Sequence, residues 1–186
     1  MVDASSDAEL LATPLIQGKQ TFSKLWLDID GSDQSISIAK WLRDKHGDCL
    51  LQIDIEGAEY RNPMATSKQD LERFRIIVME LHEAPEAFDN REIFENITSP
   101  ILQKIDSLFV CVHAHQNNRL ESISSQSLGI DLPRLLELTF LRKDQILPAA
   151  TPGRQVSLPY PLDITNEVGR EPRYLDYHWM QVPQSV

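Results

Sequence analysis

Two carboxylates lie at the end of an apolar run, a position typical of catalytic and ligand-binding residues. The stretch from residue 49 to 60 reads Cys-Leu-Leu-Gln-Ile-Asp-Ile-Glu-Gly-Ala-Glu-Tyr, so Asp54 and Glu56 are followed at once by Gly57. Side chains on a strand alternate with period two, and both acids therefore lie on one face. Gly57 permits a sharp turn from strand to helix. Because open α/β sheets hold ligands at the carboxyl ends of their strands, this turn is the first candidate site.

Two later apolar runs end in polar pairs with the same offset. Glu80 and His82 form the second pair, and His113 and His115 form the third. If the three strands are parallel neighbours, their carboxyl ends meet at one edge of the sheet. We therefore expect the pairs to converge in a functional cleft.

The residues of the first pair also have simpler interpretations. Asp54 could cap the following helix or accept backbone N–H bonds in the turn. Glu56 or Glu59 could be an ordinary first-turn acid favoured by the helix dipole, and for Glu59 this interpretation is preferred.

The residues of the other two pairs have structural alternatives as well. Glu80 in an apolar run is expensive to bury alone, so it needs a cationic partner or a ligand. His82 could be a strand-end residue in contact with water. Of His113 and His115, one is expected to be structural.

Other catalytic chemistries find less support in the sequence. Mixed carboxylates and histidines suit a divalent metal, and a metal-dependent hydrolase is a third hypothesis. The i, i+2 offsets match no established ligand motif, however, and neither HExxH nor CxxC occurs, so we predict no metal ligands. The chain also lacks a GxSxG nucleophile elbow and a GxxxxGK[ST] phosphate loop.

Composition narrows the class of protein. The 186 residues fit one domain, with 25% charged and 41% hydrophobic residues. A formal net charge of -10 argues against a nucleic-acid binder, which needs a basic face. No apolar run approaches the roughly 20 residues that cross a bilayer, and no signal peptide is visible. We predict a soluble cytoplasmic protein without a membrane partner, in which Cys49 and Cys111 are buried free thiols.

The order of predicted elements indicates an α/β fold. We expect an N-terminal arm (1–20), an α/β domain (21–147) and a Pro-rich tail (148–186). Alternation of strands and helices implies right-handed crossovers and a largely parallel sheet. The predicted strands cover 50–55, 75–82, 109–114 and 135–142. The predicted helices start near 33, cover 67–74 with Ser67 as cap, and cover 90–108 with a kink or break at Pro100.

Four blocks of the sequence resemble the FkbM-like S-adenosylmethionine-dependent methyltransferases. Their order and spacing match, and together they cover about residues 20 to 145. The blocks are Leu-Leu-Gln-Ile-Asp-Ile-Glu-Gly-Ala-Glu-Tyr (50–60), Arg-Phe-Arg-Ile-Ile-Val-Met-Glu-Leu-His (73–82), Val-His-Ala-His-Gln-Asn-Asn (112–118) and Leu-Glu-Leu-Thr-Phe-Leu-Arg (136–142).

The resemblance implies a Rossmann-like class I methyltransferase fold and methylation of a hydroxyl on a sugar or small metabolite. A histidine or carboxylate would deprotonate the acceptor, which must lie in line with the sulfonium methyl group. Asp54 would lie next to the methyl donor and the acceptor. The implied catalytic residues are Asp54, His82, His113 and His115. The residues implied to contact S-adenosylmethionine are Asp54, Glu56, Gly57 and Glu80.

The start of that fold is missing from the sequence pattern. Such enzymes have a first strand ending in a glycine-rich turn, and before residue 48 only the segment 28–32, Asp-Ile-Asp-Gly-Ser, is a candidate. We therefore expect a sheet that lacks the first strands. A fragment, a partner chain completing the cofactor site, or a degenerate protein would explain this. The alternative to an enzyme is a non-catalytic interaction or assembly module. Either the enzyme or the module could form a homo-oligomer.

Overall fold

The computed structural model describes residues 1–5, 7, 14–29, 31–148, 160–161, 163–175 and 179. The strands are β1 (Trp26–Leu27), β2 (Ser35–Ile36), β3 (Cys49–Ile53), β4 (Phe74–His82), β5 (Phe109–Gln116), β6 (Ser122–Ser125), β7 (Ile130–Pro133) and β8 (Leu135–Arg142). The α-helices are α1 (Ile38–Leu42), α2 (Arg61–Ala65), α3 (Lys68–Leu71), α4 (Ala84–Asp89), α5 (Arg91–Ile93) and α6 (Ser99–Asp106). A π-helical segment covers Phe94–Thr98, and a 3₁₀ turn covers Lys143–Gln145.

The main sheet has four strands in the order β3-β4-β8-β5. Strands β3 and β4 are parallel, whereas β8 runs antiparallel to both of its neighbours, β4 and β5. The fold is thus mixed α/β, and the expectation of adjacent parallel strands is wrong for β4 and β5. Gln116 at the end of β5 pairs with Leu136 near the start of β8. The chain therefore re-enters the sheet at the end where β5 leaves it, which requires an antiparallel strand.

The two faces of this sheet differ in burial. One face packs its apolar side chains against the helices, among them Ile105 of α6 and Leu71 of α3. The sheet residues in this core include Leu51, Ile53, Ile77, Met79, Leu136, Leu138 and Phe140. The opposite face carries polar and partly exposed side chains, among them Gln52, Val78, Glu80, Glu137 and Thr139. The candidate site lies on this second face.

Local signals in the sequence predicted one helix start well and another poorly. Ser67 caps α3, since its side chain accepts a hydrogen bond from the Asp70 N–H, as predicted. Helix α1 begins at Ile38 and is capped by Ser37, so a start near residue 33 is wrong. The preceding residues, Ser35–Ile36, instead pair with β1 as a short strand.

The predicted kink or break at Pro100 is a change of helical hydrogen bonding just before it, where the π-helical segment ends and α6 begins. Proline has no N–H for the intrahelical bond, and its ring clashes with the carbonyl of the residue four positions earlier. The helical stretch after Asn90 is divided accordingly into α5, the π-helical segment and α6. Asn90 caps α5 by accepting the N–H groups of Glu92 and Ile93.

Some predicted regions differ from the structure. The hairpin of β6 and β7 falls in a stretch for which no strand was predicted. Cys111 is exposed and Cys49 is half-buried, so the prediction that both thiols are buried is wrong. Cys111 lies on β5, an edge strand whose register is irregular at this residue. Within the described ranges, every helix is too short or too polar to cross a lipid bilayer.

The described parts of both chain ends contact the rest of the protein. In the predicted N-terminal arm, Val2 forms a β-bridge with Ser23, which lies outside the arm. In the predicted tail, Leu175 is 7% exposed and belongs to the core. The Glu167 N–H donates to Asn118 Oδ1 at 2.8 Å, which holds this segment beside the end of β5.

Candidate functional site

A cavity of about 650 Å³ opens at the carboxyl ends of β3 and β4. Polar side chains dominate its wall, and they come from both parallel strands, from β8 and from the segment after residue 160. Its charged residues are Asp54, Glu80, Glu137, Glu167 and Arg119. Four carboxylates therefore face one guanidinium. A cavity of this charge attracts cationic ligands and can hydrogen-bond to hydroxyl groups.

The first two predicted pairs meet beside this cavity. The His82 Nε2 atom lies 3.4 Å from Glu56 Oε2, 3.8 Å from Asp54 Oδ1 and 4.0 Å from Glu80 Oε2. The carboxyl ends of β3 and β4 are adjacent because these strands are parallel neighbours. The spatial convergence expected from the sequence therefore holds for these four side chains.

A buried carboxylate, Glu59, organises the turn that follows β3. Its side chain is 0% exposed and accepts hydrogen bonds from the N–H groups of Ile55 and Gly57, both at 2.7 Å. It also lies 3.1 Å from His82 Nδ1. The interpretation of Glu59 as an ordinary first-turn acid is wrong, because α2 begins only at Arg61 and the carboxylate points inward. Its position two residues after the turn glycine is the one sequence signal for this role.

The turn itself has an unusual backbone conformation. Glu56 has a φ of 55° and Gly57 a φ of 99°, so two consecutive residues have positive φ. Glycine adopts this conformation readily, as predicted for Gly57, whereas a non-glycine residue there costs about 1–3 kcal/mol. Through this turn the Glu56 carboxylate reaches His82, and the Gly57 N–H reaches Glu59.

These contacts shift the protonation of the clustered groups. The pKa of His82 is raised to about 9, mainly by its hydrogen bond to Glu59. Burial alone would lower this pKa, whereas the charges of Glu59, Glu56 and Glu80 raise it further. Burial would raise the pKa of Glu59, but the bonds from His82 and the backbone lower it overall. His82 is therefore protonated at neutral pH, where it acts as a fixed cation rather than as a base.

The pKa of Glu80 moves in the opposite direction. Burial raises it, and the charges of Asp54 and Glu137 add to the effect, while a hydrogen bond from Asn117 Nδ2 at 2.8 Å limits it. Glu80 is thus a more basic carboxylate than an exposed glutamate. Asn117, which directly follows β5, holds the Glu80 carboxylate in place.

The third predicted pair lies elsewhere on the same face. His115 pairs with Glu137 in the sheet register, and Glu137 pairs with Glu80, so β8 separates the histidines from the first cluster. With strands about 4.8 Å apart, β5 is roughly 10 Å from β4. Convergence of all three pairs on one point is therefore wrong. His113 and His115 instead contact Asp163, at 2.9 Å and 3.6 Å.

Residues from the predicted tail complete this part of the site. Asn166 Nδ2 donates to Glu137 Oε1 at 2.5 Å, and Asn166 Oδ1 lies 3.3 Å from His115 Nε2. Asp163, Asn166 and Glu137 were not predicted as site residues. No local pattern links Asp163 or Asn166 to β5, since the contact depends on how the chain returns to the sheet.

The segment 28–32 does not supply a glycine-rich turn to the main sheet. It lies between the two-residue strands β1 and β2, and Asp28 Oδ2 forms an ion pair with Arg61 at 3.2 Å. Asp30 lies outside the described residues.

The arrangement can bind a cation or a polyhydroxylated ligand beside a basic carboxylate and a protonated imidazole. The geometry alone carries the functional argument, because no protein-family model, no curated protein and no solved structure matches this chain significantly.

Proposed function

We propose that this protein is an S-adenosylmethionine-dependent O-methyltransferase of the FkbM-like type, acting on a hydroxyl of a sugar or small metabolite. One observation carries the proposal: Asp54 and Glu80 line a cavity of about 650 Å³ at the carboxyl ends of two adjacent parallel strands. Ligands of open α/β sheets bind at this place.

The sheet order supports the class I methyltransferase fold. Strand β8 is antiparallel and lies between β4 and β5, which run in the same direction as β3. The class I methyltransferase sheet ends in the same pattern, with one antiparallel strand between two strands of the common direction. In this interpretation β3, β4, β8 and β5 form the second half of that sheet.

The charge of the cavity fits a sulfonium cofactor. Four carboxylates and one guanidinium give the wall a net negative charge, which attracts a cationic sulfur centre and repels anions. Gln52, Asn117 and Asn166 add amide groups that can hydrogen-bond to the hydroxyls of a ribose or of a sugar acceptor. The wall contains the donors and acceptors that such ligands require.

The side chains divide the chemical work according to their protonation. When bound, S-adenosylmethionine would supply the electrophilic methyl group. Glu80, whose pKa is raised by burial, would accept the proton of the attacking hydroxyl. Asp54 would orient the hydroxyl by accepting a hydrogen bond, and the His82 cation would offset the charge of Asp54 and Glu56. Holding the oxygen in line with the methyl group would lower the barrier further through proximity and orientation.

Calorimetric titration with S-adenosylhomocysteine tests the proposal. The wild-type protein should release saturable heat with one site per chain. Asp54→Asn and Glu80→Gln should each weaken binding at least tenfold, because each removes a carboxylate of the cavity wall that can accept hydrogen bonds from the ribose hydroxyls and the ammonium group of the ligand. Glu95→Gln is the matched control: it neutralises an exposed acid that pairs with Arg91, outside the cavity, and should bind like the wild type. Absence of heat at millimolar ligand would overturn the proposal.

A specific observation favours an interaction module as the second candidate. Leu50 of β3 is 58% exposed and Val112 of β5 is 51% exposed. Within the described residues these two strands are the edges of the main sheet, and unpaired edges with apolar side chains invite pairing with another chain. Self-association measured by light scattering, together with a calorimetric titration that shows no cofactor binding, would support this candidate.

A further inference from the structure

A second cluster of ionisable side chains lies across the sheet from Asp54, on strand β5. The His113 Nε2 atom is 2.9 Å from Asp163 Oδ1, and His115 Nδ1 is 3.6 Å from Asp163 Oδ2. One ligand atom from each of the three residues lies within 4.8 Å of the other two. We propose that His113, His115 and Asp163 bind one divalent transition metal ion, with Zn²⁺ as the representative case.

The spacing of the ligand atoms suits such an ion. Zn²⁺ binds imidazole nitrogen and carboxylate oxygen at about 2.0–2.2 Å, so tetrahedral ligand atoms are roughly 3.3–3.6 Å apart. The 3.6 Å between His115 Nδ1 and Asp163 Oδ2 falls within this range, whereas the 2.9 Å between His113 Nε2 and Asp163 Oδ1 is shorter, at hydrogen-bond distance.

The strand presents both imidazoles to the same side. His113 and His115 are two residues apart on β5, and their rings are nearly parallel, at 17° with centroids 6.4 Å apart. Two nitrogen ligands and one carboxylate favour a transition metal over Mg²⁺ or Ca²⁺, which prefer oxygen ligands. Three protein ligands leave a fourth position for water or a substrate.

Asn166 lies beside the nitrogen of His115 that faces away from Asp163. Asn166 donates its amide N–H to Glu137 at 2.5 Å, so its carbonyl oxygen faces His115 Nε2 at 3.3 Å. That oxygen can accept the Nε2–H of His115, and Nδ1, on the side of Asp163, is then the nitrogen that would bind the ion. Ligating histidines usually have their other nitrogen bound in this way.

The carboxylate is also held in position. The side chain of Asp163 is 9% exposed, and its Oδ2 atom accepts the Tyr160 N–H at 2.8 Å. The Tyr160 ring packs against His113, with ring centroids 5.7 Å apart. The three ligands are thus preorganised from two parts of the chain, and a bound ion would tie the segment around Asp163 to β5.

The other candidate cluster is less suited to a metal. Asp54, Glu80 and His82 also bring ligand atoms within 4.8 Å of one another. There, however, His82 faces Glu59 with one nitrogen and carboxylates with the other. This environment favours a doubly protonated imidazole, which has no lone pair for a metal. The proposal therefore concerns the β5 cluster alone.

Titration of the chelator-treated protein with Zn²⁺ tests the proposal and requires no methyl donor, so its outcome is independent of the proposed activity. The wild type should bind one equivalent, as measured by a competing chromophoric chelator. His113→Ala and Asp163→Asn should each lower the affinity at least tenfold. His46→Ala, which removes an exposed histidine outside the cluster, and Asp54→Asn, which removes an acid of the other cluster, should bind like the wild type.

Titration of the wild type with Co²⁺ provides a readout that does not depend on the folding of variants. The visible d–d bands of a four-coordinate Co²⁺ should appear and saturate at one equivalent, and Zn²⁺ should abolish them. Absence of stoichiometric binding by the wild type would overturn the proposal and leave a simple histidine–aspartate ion pair. Equal affinity of the wild type, His113→Ala and Asp163→Asn, or loss of binding in Asp54→Asn, would also overturn it.

Discussion

Replacing Glu59 by glutamine should destabilise the protein in a way that depends on pH. The carboxylate is fully buried and serves two backbone N–H groups as well as His82. Glutamine has nearly the same shape but no charge and only one acceptor oxygen. The substitution therefore removes the charged partner of His82 and leaves one backbone N–H without an acceptor.

The size of the effect follows from the two contributions. The pKa of His82 rises from 6.5 to about 9 in the folded state, which corresponds to about 3 kcal/mol of stability. Because the folded pKa lies above the unfolded one, this stabilisation is complete below pH 6.5 and is lost as the pH rises through 9. Glu59 supplies its larger part. The unsatisfied N–H costs about 1–3 kcal/mol at every pH.

Urea denaturation at pH 6 and pH 10 measures both contributions. At pH 6 we expect Glu59→Gln to lower the free energy of unfolding by about 3–6 kcal/mol. At pH 10, where His82 is neutral in both proteins, the loss should shrink to about 1–3 kcal/mol. The pKa of His82, followed by its NMR signals, should fall towards 6.5 in the variant.

The exposed control Glu95→Gln should change the free energy of unfolding by less than about 0.5 kcal/mol at either pH. The reasoning is refuted if Glu59→Gln costs the same at pH 6 and pH 10. A wild-type His82 that titrates near 6.5 would refute it as well.

Two further substitutions test the packing and the capping. Leu136→Ala truncates a side chain that is 0% exposed near the start of β8 and should cost about 2–5 kcal/mol in urea denaturation; a cost below 1 kcal/mol would contradict the assigned core. Ser67→Ala removes the cap of α3 and should cost about 1 kcal/mol, with Ser67→Thr close to the wild type because it keeps the hydroxyl that bonds to Asp70; equal destabilisation by both would count against the capping bond.

Sequence patterns predicted the elements of the fold better than their arrangement. The strand predicted over 135–142 has those bounds in the structure, and the break at Pro100 follows from proline chemistry. The direction of β8 was not predictable, because an apolar run has the same pattern in parallel and antiparallel pairing. The residues before it include a hairpin whose turn, around Gly129, carries no short hairpin signal.

The part of the candidate site that is formed by strand ends was predictable from the sequence. The part that is formed by the segment around Asp163, which contacts β5, was not. Asp54, Glu80 and His82 meet because adjacent parallel strands end at the same edge of the sheet. Glu59 and Asp163 were missed for different reasons. The first has the sequence environment of an ordinary surface acid, and the second lies in a Pro-rich stretch whose contact with β5 is purely tertiary.

The insertion of β8 between two earlier strands constrains the order in which the sheet can assemble during synthesis. Until residues 135–142 are available, the hydrogen-bonding edges of β4 and β5 that β8 later occupies lack their native partner. The nascent chain therefore has two unpaired strand edges, with free N–H and C=O groups, while the β6–β7 hairpin is being synthesised. Such an intermediate is prone to pair with other chains until β8 is inserted between β4 and β5.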